Sequence, residues 1–201
     1  PAAYSEGFNP HLKFSLASAL GVGVVSYTEF VEIELAEPME VEKAALALDA
    51  ALPRGIRVLA ADAVDTHHAA LMSQAAGASY RVTLPYSKDV SAAVAEFNAA
   101  PELLFKKAAP KTKAKFKEID VKFYIQQLTA EHTEKETIFS FDCKITPTGS
   151  MKAVDLLNAL NEQYGLALPV EMADIERLRL YRNNKNGKPI PMLNSDAVTL
   201  G

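Results

Sequence analysis

Strand and helix patterns follow one another in nearly the same order in both halves of the chain. In the first half, residues 14–17 and 27–35 alternate as strands, residues 41–52 carry an apolar stripe at helical spacing, and residues 56–64 form another strand pattern. This order is strand, strand, helix, strand. A strand and a helix in front of it would complete βαββαβ, the ferredoxin-like split unit.

The second half also reads as a βαββαβ unit. Strand patterns occur at residues 79–84, 119–128, 137–145 and 175–182, with a further short one after residue 103, and helical patterns occur at 89–100 and 151–164. In the third of these strands, Phe139, Phe141 and Cys143 alternate with polar residues, which predicts that they face a core. In the last strand, the same alternation puts Arg177 and Arg179 on one face.

We therefore predict an α+β fold of two tandem ferredoxin-like units. The first covers residues 1–76 and lacks its opening strand and helix, so we expect a further segment before Pro1. The second covers residues 77–182, and residues 183–201 form a polar C-terminal tail.

Composition limits the class of protein. With 49% hydrophobic and 23% charged residues, the chain is typical of a soluble globular protein. Its net charge of −4 argues against nucleic-acid binding over the whole surface but permits a local basic patch. No apolar run approaches the roughly 18 residues that span a bilayer, and no signal peptide is visible. We expect a cytoplasmic protein without membrane contact.

The single cysteine, Cys143, excludes an internal disulfide and any metal site or cluster that several cysteines would hold. Its place in an apolar alternation predicts a small core hydrophobe rather than a reactive thiol. The adjacent His67 and His68 point in different directions on a regular element, so they make a poor metal pair. We predict no metal site and no cofactor in this chain.

Residues 4–13 carry the densest functional pattern in the sequence. A glycine and an Asn-Pro pair predict a turn, and Asn9, His11 and Lys13 place an amide, an imidazole and an ammonium within five residues. A loop at the mouth of a strand is a usual position for binding or catalytic groups. The alternative is a structural turn in which His11 bonds a backbone carbonyl.

A lysine-rich window predicts polyanion binding. It contains Lys106, Lys107, Lys111, Lys113, Lys115, Lys117 and Lys122, interleaved with Phe105, Phe116, Phe123 and Tyr124. Lysines neutralise phosphates while aromatic rings stack on unpaired bases. In the alternative, Phe116 and Phe123 anchor a hairpin to the core and the lysines form its solvated face. Arg177 and Arg179 would extend the basic face, or pair with Glu96 or Asp155.

His11 and Asp120 are the candidate catalytic groups, since either would serve as a general acid or base. For Asp120, hydrogen bonding in a turn at a strand end is the alternative. Glu29 is the only glutamate of its strand pattern near a loop. No nucleophilic triad, zinc motif or nucleotide loop can be assembled from the sequence.

The run Tyr-Ser-Glu-Gly-Phe-Asn-Pro-His-Leu-Lys resembles the signature of a radical SAM-linked family of unknown function, often written YSQGFNPHPK. The resemblance runs from residue 1 to about residue 182. Further matches are residues 21–29 to PVGVxSxxE, 111–122 to TKKGxKEVDIR, 149–152 to GSLKP and 177–181 to RTxLY. The departures are Glu6 for Gln, Leu12 for the second Pro, Gly21 for Pro, and Ala114 and Phe116 within the lysine run.

The resemblance implies an accessory domain that presents an RNA or ribosome-related substrate to a radical SAM protein, fused or separate. Because the chain lacks CxxxCxxC, that partner would carry the iron–sulfur cluster, S-adenosylmethionine and cobalamin. The expected substrate-binding residues are Asn9, His11, Lys13, Glu29, Lys111, Lys113, Lys115, Lys122 and Arg177. Two alternatives remain: an RNA-modifying or RNA-processing enzyme, and a scaffold that recruits proteins without binding RNA.

Overall fold

The structure, a computed structural model, describes residues 1–65, 67–109 and 115–200. The fold is α+β with a mixed sheet. The strands are β1 (Phe14–Leu16), β2 (Val24–Ser26), β3 (Val31–Ile33), β4 (Ala60–Ala61), β5 (Gly77–Leu84), β6 (Leu104–Ala108), β7 (Phe116–Asp120), β8 (Leu128–His132), β9 (Thr137–Thr146), β10 (Gly149–Ser150), β11 (Asp174–Asn183), β12 (Pro189–Pro191) and β13 (Val198–Thr199). The helices are α1 (Val41–Ala51), α2 (Leu71–Gln74), α3 (Ser91–Ala99), α4 (Val121–Tyr124) and α5 (Ala153–Tyr164), with a 3₁₀ helix at Val170–Met172. None of the helices so described is long and apolar enough to cross a membrane.

The chain divides into two compact units that interleave in sequence. The first unit comprises residues 1–18, 30–74 and 182–201, and the second comprises residues 19–29 and 75–181. Residues 19–29 thus belong to a different unit from the residues on either side of them, and the segment predicted as a separate polar tail, residues 183–201, belongs to the first unit.

The second unit is built on one sheet with the strand order β8, β9, β5, β11, β2. Its neighbours are antiparallel, apart from β2, which runs parallel to β11. Strand β10 pairs with the far end of β9. The succession β5, α3, β8, β9, α5, β11 is βαββαβ, with the β6–β7 hairpin and α4 inserted after α3.

Alternating apolar residues place the core of the second unit on one side of this sheet. Phe139 and Cys143 are buried there, as predicted, together with Val82 and Leu84 of β5. Helix α5 packs its apolar stripe into the same cluster and ends at Gly165, whose φ of 62° gives the left-handed cap. Burial of each large apolar side chain contributes about 1.5–3 kcal/mol to folding.

Two predicted strands of the second unit differ in the structure. The pattern at 119–128 is not continuous, because residues 121–124 turn into α4 between β7 and β8. In β11, the register shifts between Arg177 and Arg179. This irregularity ends the alternation, so Arg177 and Leu180 are both buried whereas Arg179 is exposed.

The first unit contains short, separate strand pairs rather than one continuous sheet among its described residues. Strand β1 pairs antiparallel with β3, and β4 pairs with β13 of the C-terminal tail. The predicted strands at 27–35 and 56–64 shrink to three and two residues. The tandem ferredoxin-like arrangement is therefore not confirmed.

Candidate polyanion-binding site

The β6–β7 hairpin distributes its lysines over both of its faces. Phe105 pairs with Ile119 and Lys107 with Lys117, so these four side chains share one face. Phe105 is buried, which identifies this as the inward face. The opposite face carries the pairs Lys106 with Glu118 and Ala108 with Phe116.

The inward face of the hairpin forms one wall of a cavity of about 180 Å³. Tyr124 of α4, the turn between β9 and β10, and the start of α5 form the rest of the wall. Its polar and charged lining residues are Lys107, Lys117, Tyr124, Thr148, Ser150 and Asp155. Residues with two ammonium groups, three hydroxyls and one carboxylate thus line a space that is open to a small ligand.

The two lysines of the cavity differ in their partners. Lys107 Nζ lies 2.6 Å from Oδ2 of Asp155, a buried residue in the first turn of α5. Lys117 has no hydrogen bond or ion pair with any residue that the structure describes. The cavity therefore keeps one uncompensated positive charge.

Aromatic side chains are exposed beside these lysines. Phe116 is 58% exposed and Phe123 is 49% exposed, so neither anchors the core, and that alternative for them is wrong. Lys144 Nζ lies 4.3 Å from the centroid of the Phe123 ring, and Phe123 packs edge-on against Tyr124 at 5.0 Å. A half-exposed ring next to ammonium groups can stack on a nucleobase.

Lys122 does not belong to this surface. Its residue is 9% exposed, and its ammonium donates hydrogen bonds to the backbone carbonyls of Phe97, at 3.0 Å, and of Gln126. It also lies 4.3 Å from the Phe97 ring centroid. Because these internal acceptors hold the ammonium, we remove Lys122 from the predicted phosphate-binding residues.

Lys115 is exposed and has a φ of 58°, while Lys111 and Lys113 lie outside the described residues.

Arg177 is likewise turned inward. It is 1% exposed, and it donates to both carboxylate oxygens of Glu29, from Nε at 2.8 Å and from Nη2 at 2.5 Å. Ser26 donates to the same carboxylate. The carboxylate partner of Arg177 is thus Glu29, whereas the sequence offered Glu96 and Asp155 as alternatives, and its guanidinium is buried rather than exposed on a basic face. Glu29 and Arg177 do lie together, however, as an ion pair of the second unit in which the guanidinium is buried and the carboxylate is partly exposed.

Neighbouring tyrosine and arginine side chains complete this arrangement. Arg177 also hydrogen-bonds Tyr80, with which it pairs across β11 and β5. Burial raises the pKa of Tyr80, and the nearby guanidinium opposes that rise. Arg179 instead donates to Ser79 Oγ at 2.7 Å and lies 4.0 Å from Asp142.

Asp120 has a structural role in the described conformation. Its Oδ1 accepts from the backbone N–H of Lys122 at 3.0 Å and of Leu103 at 3.1 Å, and the first of these bonds caps α4. This is the turn bonding that the sequence offered as the alternative to catalysis. One oxygen of Asp120 is therefore used to hold Leu103 and the start of α4 in place.

Asn9, His11 and Lys13 lie in the first unit, on a hairpin rather than in a cleft. Tyr4 bridges to Leu12, and the backbone N–H of His11 donates to Ser5 Oγ at 2.9 Å. Lys13 pairs with Glu34 at 2.8 Å, whereas the imidazole of His11 has no partner among the described residues. All three side chains are exposed. Of the two catalytic candidates, His11 and Asp120, only His11 has a side chain without a structural hydrogen bond among the described residues.

Residues 1–155 match a family described as an uncharacterized protein conserved in bacteria, DUF2344. The chain belongs to this family. The match includes the residue 4–13 hairpin, Glu29, the β6–β7 hairpin and the turn at Thr148, and it ends within the first turn of α5. No curated protein matches the chain.

Thr148, Ser150 and Asp155 are the site residues that the sequence did not reveal. They belong to a turn and a helix start that follow Lys107 and Lys117 by about 30 to 50 residues in sequence. The only signal was the Gly-Ser pair at 149–150, which reads as a helix start.

In the described part of the chain, no group of three His, Cys, Asp or Glu side chains is arranged to hold a metal ion.

Proposed function

We propose that this member of the DUF2344 family binds single-stranded RNA through the β6–β7 hairpin and presents it to a partner enzyme. The observation that carries the proposal is the pairing of Lys107 with Lys117 on one wall of a cavity that also offers hydroxyl groups. Like charges directly opposite each other destabilise a hairpin, and Asp155 compensates only Lys107, so the arrangement points to an anion that compensates Lys117. Nucleic-acid phosphates are such anions.

The charge pattern elsewhere in the second unit favours the hairpin over the sheet as the RNA surface. On the sheet face opposite the core, Arg81 pairs with Glu176 at 2.6 Å, and Arg179 lies beside Asp142. These arginines are already compensated by carboxylates. The hairpin, in contrast, brings Lys106, Lys115 and Lys117 to exposed positions with the half-exposed ring of Phe116. The βαββαβ succession supports a ferredoxin-like comparison by analogy of fold only.

The partner that we propose is a radical SAM protein. The support is the resemblance of residues 4–13 and the later motifs to a radical SAM-linked signature. An iron–sulfur cluster needs several cysteine ligands, and this chain has one cysteine. The cluster, S-adenosylmethionine and cobalamin would therefore be bound by the partner, and this chain would supply substrate binding.

Salt dependence tests the RNA-binding proposal. We expect the affinity for a single-stranded RNA to fall with salt, by about 0.7 logarithmic units per tenfold salt increase for each phosphate contacted. The variant Lys106→Ala/Lys115→Ala/Lys117→Ala should bind weakly and with a smaller slope. The matched control Lys43→Ala/Lys88→Ala/Lys135→Ala removes the same charge from exposed positions outside the hairpin and should keep the slope. Absent or salt-insensitive binding would refute the proposal.

A second candidate function, a scaffold for protein partners, is favoured by an apolar surface of the first unit. The register of β1 with β3 places Phe14, Leu16 and Val31 on one face, where they are 53%, 39% and 45% exposed. Exposed apolar patches are typical of protein interaction sites. Affinity purification with Phe14→Ser/Leu16→Ser tests this function: loss of a radical SAM partner with RNA binding unchanged would support it, and unchanged capture would contradict it.

A further inference from the structure

We infer that the cavity between the β6–β7 hairpin and α5 holds a terminal phosphate group of the RNA in preference to an internal phosphodiester. The inference rests on the RNA binding proposed above, because it assigns a ligand group to the same surface. A terminal phosphate monoester carries about −1.5 to −2 charges at neutral pH and offers three acceptor oxygens. An internal phosphodiester has fewer free oxygens and chain on both sides.

The cavity offers such a group one positive charge, that of Lys117, which no described carboxylate compensates. Two ammonium groups, those of Lys107 and Lys117, face one carboxylate, that of Asp155. Asp155 lies 2.6 Å from Lys107, so Lys117 keeps its charge without a partner among the described residues. A phosphate placed between the two lysines would compensate Lys117 directly and would share Lys107 with Asp155.

A free hydrogen-bond donor lies on the side of the cavity opposite the hairpin. The hydroxyl of Ser150 has no hydrogen bond to any described residue. Thr148 is engaged, because Thr146 donates its own proton to the carbonyl of Gly149 and so accepts from Thr148 at 3.0 Å. Helix α5 begins at this wall without a side-chain cap. Phosphate oxygens would therefore meet ammonium groups on one side and the hydroxyl of Ser150 on the other.

The size of the cavity separates the two kinds of phosphate. A volume of about 180 Å³ is below the roughly 300–1,000 Å³ of sites that hold whole small molecules. Such a space takes one group at the end of a chain but not a phosphodiester with both of its flanking nucleotides. The nucleotide next to the phosphate would remain outside, where Phe123 is half-exposed beside the wall residue Tyr124.

One RNA sequence with three kinds of ends tests the inference. The RNA carries an internal fluorescent label and has a 5′-phosphate, a 3′-phosphate, or hydroxyl groups at both ends. We expect one phosphate-ended RNA to bind about tenfold more tightly than the hydroxyl-ended RNA in anisotropy titrations at fixed salt. The identity of that RNA distinguishes a 5′ from a 3′ terminal group.

Variants test whether the preference for a phosphate-ended RNA arises at the cavity. Lys117→Ala and Ser150→Ala should each abolish the preference, whereas Lys106→Ala, on the opposite face of the hairpin, should weaken all three RNAs equally. Equal binding of the three RNAs by the unaltered chain, with salt dependence retained, overturns the inference and leaves RNA binding standing. No binding of any of the three overturns the proposed function together with the inference. Circular dichroism confirms that each variant is folded.

Discussion

Lys107 lies directly opposite Lys117 in the antiparallel pairing of β6 with β7. Removal of one of these charges should relieve repulsion within the hairpin, which is worth about 0.2–1 kcal/mol for a cross-strand pair. We therefore expect Lys117→Ala to leave the free energy of unfolding unchanged or slightly higher while it weakens RNA binding. Urea unfolding and RNA titration of the same preparation measure the two effects.

The comparison variant for this prediction is Glu118→Ala on the other face of the hairpin. It removes the opposite charge from Lys106, so it should lower stability slightly and should not weaken RNA binding. A clear loss of stability in Lys117→Ala would mean that Lys117 stabilises the fold rather than serving a ligand.

The ion pair of Arg177 with Glu29 predicts an asymmetric response to substitution. Glu29→Ala leaves a buried guanidinium without its carboxylate; breaking a fully buried pair costs about 3–5 kcal/mol, which is an upper bound here because the Glu29 side chain is 30% exposed. Arg177→Met leaves only a carboxylate whose side chain is already 30% exposed and can be hydrated. Chemical denaturation should therefore show the larger loss for Glu29→Ala.

The double variant Glu29→Ala/Arg177→Met should lose less stability than the sum of the two single losses, because no guanidinium remains to lose the carboxylate of Glu29. If Arg177→Met proves the more destabilising single change, the packing of the arginine matters more than its charge.

Gly77 is required because Tyr181, which faces it across β5 and β11, leaves no room for a side chain at this position. A Cβ atom at position 77 would lie 2.2 Å from the hydroxyl oxygen of Tyr181 and 2.4 Å from Cζ. Gly77→Ala should therefore destabilise the fold by about 1–3 kcal/mol, as overpacking does. Tyr181→Ala should make the same glycine substitution nearly harmless, and Gly21→Ala, whose nearest contact is 3.5 Å, should change stability little. Thermal unfolding of the four variants gives the answer.

Cys143 is predicted to be inert in the native protein. It is fully buried, and burial raises the pKa of its thiol to about 11, so about one thiol in a thousand is ionised at pH 8. A colorimetric thiol reagent should react at least about a hundredfold more slowly with the native chain than with the chain in denaturant. Rapid stoichiometric labelling under native conditions would show that the core opens easily.

Much of the second unit could be predicted from sequence because apolar periodicity is local information. Residues 89–100 and 151–164, predicted as helices, contain α3 and α5, and β5 and β9 present the predicted apolar residues to the core. The failures occur where a tertiary contact overrides the local pattern. Asp120 caps a helical turn inside an apparent strand, and the register shift of β11 changes which of its side chains are buried.

The candidate site was harder to predict because the environment of each charged group is set by distant residues. Nothing local to Lys122 shows that carbonyl oxygens will bind its ammonium, and the carboxylate that holds Arg177 lies 148 residues away in sequence. The lysine-rich window was visible, but the cavity wall at Thr148, Ser150 and Asp155 was not. In the residue 4–13 motif, the turn was predictable, and the exposure of its side chains was not.

The most direct test of the account is to map where RNA touches the chain. A single-stranded RNA with photoreactive uridines would be crosslinked to the full chain, and the attached peptides identified by mass spectrometry. We predict crosslinks within residues 104–124, centred on Phe116, Lys117 and Phe123, because these side chains are exposed on the β6–β7 hairpin and on α4. Crosslinks confined to other surfaces, such as the sheet face that carries Arg81 and Asp142, would contradict the account.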